Sequence, residues 1–177
     1  MGLCGYRKVT GTRHRFFVIS RMNKEIQSII RSLEDTLSGE PWYGRPVYDL
    51  LKLVNSSMAY MRPGSNGHSP AELLYHMLTW AQFTLAAVQE KPEKVMHDFE
   101  DLDWRYITLS EHPWEKGLAD FKETHQQLIK VLQTKEDPFL EKIVPARKYN
   151  YRYLLNGLIQ HNIYHGGQLA YCAKIFV

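Results

Sequence analysis

The sequence predicts an all-α protein, a four-helix bundle built as one domain, and three observations point to it. Apolar residues recur at steps of three and four along four long segments. One helix start, Ser69-Pro70-Ala71-Glu72, sets a hydroxyl, a proline and a glutamate at the spacing of a capped N-terminus. No segment alternates apolar and polar residues well enough to make a convincing strand. A length of 177 residues, 44% of them apolar, suits a single globular core.

The first helix is expected from about Asn23 to Ser38, where Ile26, Ile29, Ile30, Leu33 and Leu37 share one face. Gly39-Glu40-Pro41 ends it. A second piece, Val47 to about Tyr60, carries Leu50, Leu51, Val54 and Met58 and continues the same layer after a kink at Gly44-Arg45-Pro46. The capped helix opening at Ser69 runs to about Gln89. A polar and aromatic stretch over 90–110 follows. Ser110 or His112, with Pro113, opens the next helix, which runs to about Gln133 with the stripe Trp114, Leu118, Phe121, His125, Leu128 and Leu132. Residues 135–148 read as a loop with a short turn. Asn150 caps a last helix from Tyr151 to about Phe176. Long helices with apolar faces and connections of moderate length make a bundle.

Residues 1–21 stand apart. They contain Arg7, Lys8, Arg13, Arg15 and Arg21, no acid and little periodicity. They read as a leader or as a start assigned too early, with Met22 the expected first residue of the bundle domain, 22–177. The formal charge of +3 misleads, because setting aside those five cations leaves 17 Lys and Arg against 19 Asp and Glu. The body is mildly acidic and has no basic footprint for nucleic acid. No apolar run approaches the roughly 20 residues that span a bilayer. Two cysteines, Cys4 and Cys172, are too few for a disulfide framework, and a reducing cytoplasm fits them best.

The chemistry is in the histidines. His161 and His165 are four residues apart, so on a helix they share a face, within about 40° of each other. Their stripe is otherwise apolar: Leu154, Leu158, Leu169 and Cys172. His76 sits on the capped helix among Leu73, Trp80, Phe83 and Ala87. Inward imidazoles need partners. One histidine from one helix and a pair from another are the layout of a metal site with three nitrogen ligands and one open position. The plainer alternative is three core histidines bonded to carbonyls or waters. His125 also lies on an apolar stripe, either as a fourth ligand or, more ordinarily, as a residue hydrogen-bonded across the bundle. His14, His68, His97 and His112 fall in the leader, in loops or at a helix start, where solvent satisfies them. Glu72 precedes His76 by four residues and could accept its spare N–H, but the helix cap competes for the same carboxylate. Gln168 is placed to support His165. Gly166-Gly167 inside a helix implies a close helix approach. Cys172 reads as packing more readily than as thiol chemistry. Trp80 and Tyr164 are placed to line a pocket.

The segments QHNIYHGGQLAYCAK (160–174), SPAELLYHMLTW (69–80) and EPWYGRPVYDLL (40–51) resemble the closing helix, second helix and first turn of the DinB-like (YfiT-like) superfamily. The resemblance covers about residues 22–177. It implies a four-helix bundle with His76, His161 and His165 as ligands of a divalent transition metal: zinc, nickel, manganese or iron. A small-molecule substrate is expected, and a homodimer too, because the bundle has a broad apolar helical surface and relatives often dimerise. Some relatives transfer small thiols, and others are described as metal-dependent hydrolases. The expectation is therefore an ion that activates water or a low-molecular-weight thiol. The alternative is a helical bundle that binds metal without turnover, or that serves as a scaffold.

Overall fold

The computed structural model of the chain describes residues 23–91 and 93–176, so the expected leader over 1–21 lies outside the described residues. Six helices and one 3-10 turn form among these residues, and the only strand-like pairing is an isolated bridge between Ile143 and Asn150.

Helix α1 (Lys24–Ser38) buries Ile26, Ile29, Ile30, Leu33 and Leu37 on one face, as its periodicity predicts. Asn23 gives it no side-chain cap. The free N–H groups at its start are met by Asp137, whose carboxylate accepts from Glu25 N at 3.2 Å and Ile26 N at 2.9 Å. Asp137 opens the 3-10 turn Asp137–Glu141. Helix α2 (Val47–Lys52) is shorter than the stretch to Tyr60 expected for it. Asn55 stops it: its side-chain oxygen accepts from Ser57 Oγ and Met58 N, offering the backbone a turn in place of the helix.

Helix α3 (Pro70–Val88) begins with the predicted capping box. Glu72 N donates to Ser69 Oγ at 3.2 Å, and Ser69 N donates to Glu72 Oε2 at 2.8 Å. Fifteen of its 19 residues are buried, so it is the central helix, apolar on nearly every side. The stretch 90–110 contains a short helix not expected there, α4 (Glu93–Glu100), whose Val95, Met96 and Phe99 stand at helical spacing. Helix α5 (Trp114–Leu132) starts after Pro113 with no side-chain cap from Ser110 or His112. It buries Trp114, Phe121, His125, Leu128 and Leu132. Helix α6 (Tyr151–Ile175) is capped by Asn150, whose side chain accepts from Tyr153 N at 3.0 Å.

Helix α3 packs most extensively on α5, and α6 packs on α3, α1 and α2. The Tyr151 hydroxyl donates to Ala87 O at 2.8 Å while His161 meets His76, so α3 and α6 run antiparallel. The Gly166-Gly167 pair is not explained by a close backbone approach. A Cβ on Gly166 would meet only Leu50 and Val47 side chains at 3.5 and 3.6 Å, and one on Gly167 would meet nothing within 4 Å. Both glycines line a groove of about 640 Å³ between α2 and α6. No helix among the described residues is long and apolar enough to cross a membrane.

Candidate metal centre

Steps of four along α3 and α6 bring three imidazoles to one point. One ring nitrogen from each of His76, His161 and His165 lies within 4.8 Å of the others. The ring centroids are 4.4 to 4.8 Å apart. His76 Nε2 and His161 Nε2 are separated by 2.8 Å.

The second nitrogen of two of these rings is committed elsewhere. His76 Nδ1–H donates to Asp103 Oδ1 at 2.5 Å, and His165 Nδ1–H donates to Gln168 Oε1 at 2.6 Å. A neutral imidazole that donates from Nδ1 carries its lone pair on Nε2. Both rings therefore aim a lone pair at the gap between the helices. His161 Nδ1 is buried without a hydrogen-bond partner. If His161 donates from Nε2 to His76, its Nδ1 is a buried acceptor with no donor. If it keeps the proton on Nδ1, a third lone pair faces the other two. A cation in the gap would accept all three lone pairs at once and remove the repulsion between them, with the His161 proton left on Nδ1.

The donor set fits such an ion. Metal–nitrogen bonds of about 2.0–2.1 Å in a tetrahedral site set ligand nitrogens about 3.3 Å apart, so these rings need only small movements. Burial holds all three in the neutral, ligating form. It lowers His161 to about 3, helped by the neighbouring His165 and His76 rings. It lowers His165 to about 4, against the opposing bond to Gln168. It also lowers His76, against the opposing charge of Asp103.

Residues that apolar spacing could not single out complete the surroundings. Asp103 also accepts from Trp80 Nε1 at 3.2 Å. Trp104 stacks on His76 with ring centroids 3.8 Å apart and on His68 at 3.9 Å. Its φ of 47° is left-handed, a conformation costing about 1–2 kcal/mol for a residue with a side chain. Arg105 anchors the segment by donating to Thr79 Oγ1 at 2.7 Å and to Leu102 O at 2.8 Å. Of three consecutive residues, Asp103 supports His76, Trp104 covers it and Arg105 ties their segment to α3 at Thr79. The pattern Asp-Trp-Arg in a polar loop is their only trace in the sequence.

Other expected residues have other duties. Glu72 belongs to the helix cap and pairs with Arg62, so the spare N–H of His76 goes to Asp103 instead. His125 is fully buried outside the cluster, donating from Nδ1 to Phe121 O at 2.9 Å and accepting from Asn162 at 3.1 Å. His112 is half-buried and not merely solvated: Arg105 Nε lies 3.3 Å from its Nε2 and Thr108 N 3.3 Å from its Nδ1, and the neutral ring accepts from one of the two. Burial raises the Cys172 thiol, which packs against His68 O and stays protonated at neutral pH. Tyr164 is exposed, with its ring edge-on to His165.

The sequence profile of the DinB superfamily matches residues 35–169. The chain belongs to the DinB superfamily. The match covers all three histidines and the loop that carries Asp103, so the centre lies within the DinB region of the chain. No curated protein shows a significant sequence match to this DinB chain.

Proposed function

We propose that this DinB protein is a metal-dependent enzyme. In this reading His76, His161 and His165 hold one divalent transition ion, and a small molecule reacts at the open side. The observation that carries it is the convergence of three neutral imidazoles, two of them fixed from behind by Asp103 and Gln168. Outer partners of this kind orient ligands and raise their basicity. Bound there, the ion supplies Lewis acidity to whatever fills its remaining position, water in a hydrolase or a low-molecular-weight thiol in a transferase. Three protein ligands are the complement of a catalytic site, and among the described residues the cluster contains three. Imidazole ligation suits zinc, nickel, manganese and iron alike.

The protein's own part is to hold and orient. Asp103 keeps the proton of His76 on Nδ1, and Gln168 does the same for His165. Trp104 covers one face of His76 and limits water there.

Elemental analysis of purified protein tests the reading. It should find one divalent ion per chain, lost in His161→Ala and in His165→Ala; stoichiometric metal in the double variant would overturn it. Cobalt-loaded protein titrated with small thiols separates the two chemistries. A saturable sulfur-to-metal absorption band that vanishes in His76→Ala supports transfer, and metal-dependent cleavage of a model ester without such a band supports hydrolysis. An ion held by four protein groups, with neither response, leaves the protein a binding module.

A further inference from the structure

The seam that carries the histidines continues beyond them. On α3, Trp80 and Thr84 follow His76 at steps of four. On antiparallel α6, Gly157 and Tyr153 precede His161 at the same step. Between these rows lies a cleft of about 160 Å³, walled by Trp80, Thr84, Tyr149, Tyr153, Gly157 and, at the metal end, His161.

Its chemistry is narrow. Among the described residues, no charged side chain lines it. The Thr84 hydroxyl is committed to Trp80 O at 2.8 Å, and Trp80 Nε1–H to Asp103. Tyr149 and Tyr153 face each other with centroids 5.1 Å apart. Aromatic walls favour offset or edge contacts with another ring. Apolar protein cavities of about 150 Å³ take up benzene, so the space matches a single six-membered ring in volume, and the second ring of a fused pair would extend past its open side.

Gly157 contributes no side chain to the wall of this cleft. It lies inside a helix, where glycine costs about 1 kcal/mol against alanine, yet a Cβ built on it meets nothing within 4 Å. Packing gives no reason for the glycine. An open wall one turn from His161 gives one.

We infer that this cleft is the specificity pocket of the site and takes one neutral aromatic ring of the substrate, with the reacting group directed at the three histidines. Its functional meaning rests on the enzyme reading above, while ring binding itself does not require the metal. The test is a titration of the full chain with fluorobenzene, followed by 19F NMR and by the Trp80 indole N–H resonance, with 1-fluoronaphthalene as the size control. Wild type should bind fluorobenzene saturably and shift Trp80. Gly157→Leu should weaken binding at least tenfold, and Gly157→Ala should weaken it less, with metal content at wild-type level and melting temperature at or above it in the alanine variant. Absence of saturable binding to wild type overturns the inference. So does equal binding to Gly157→Leu, or equal affinity for the fused ring. Metal content measured on the same samples scores the other reading separately: ring binding in protein that takes no metal supports the cleft and fails the metal centre.

Discussion

Asp103 Oδ1 lies 2.5 Å from His76 Nδ1, with one edge of the Trp80 indole donating to the same oxygen. That carboxylate decides which nitrogen of His76 faces the other two histidines. Asp103→Ala should lower metal affinity about 10- to 100-fold, the usual cost of losing such a partner. Asp103 is a half-buried loop residue, so the melting temperature of the metal-free protein should barely change. Competition against a chromophoric chelator measures the first quantity, and unchanged affinity would refute the role.

Stability of the metal-free protein should fall on acidification. Burial lowers His125 to about 4 from an ordinary 6.5. Between those values the unfolded chain binds a proton that the folded chain refuses, so stability is lost as pH drops from about 6.5 toward about 4. One pKa unit is worth about 1.4 kcal/mol, which puts the effect of a single such histidine on the order of 3 kcal/mol. His161 and His165, also lowered, act with the same sign. Urea midpoints at pH 7.5, 6 and 5 should decline in that order; equal midpoints would contradict it.

Asp137 caps a helix far from it in sequence. Asp137→Ala should cost about 1 kcal/mol, the ordinary value of an N-cap. Asn23→Ala, at the position that capping rules would favour, should cost almost nothing, because Asn23 makes no cap bond. Chemical denaturation of both variants checks the contrast.

Gly167→Ala should stabilise the fold by up to about 1 kcal/mol, since the added methyl meets nothing and the helix gains propensity. A loss of stability in thermal unfolding would show that the groove beside α2 tolerates no filling.

What the sequence made legible was local or periodic. Four long helices, the Ser69 capping box and the Asn150 cap follow from patterns spanning a few residues. The three histidines could be grouped because steps of four put them on inward faces. The partners that finish the site are held by tertiary contacts instead. Asp103, Trp104 and Arg105 sit in a loop with no repeat, and α4 before them is only eight residues long, too short for its Val95, Met96 and Phe99 to stand out among polar neighbours. Asn55 ends α2 early through side-chain bonds that outcompete an apolar pattern. Gly166-Gly167 misled because a helix glycine signals either a close neighbour or an open space, and only coordinates tell the two apart.

The burial of α3 on nearly all sides sets a limit on how the centre can open. Its amides are shielded by α5 and α6, so they should exchange with deuterated solvent only when the whole domain unfolds. His76 rides on that slowest element, while Asp103 and Trp104 come from a partly exposed loop. An ion held there would then enter and leave by rotation of side chains and by excursions of the 101–105 segment, on a timescale set apart from that of the backbone beneath it.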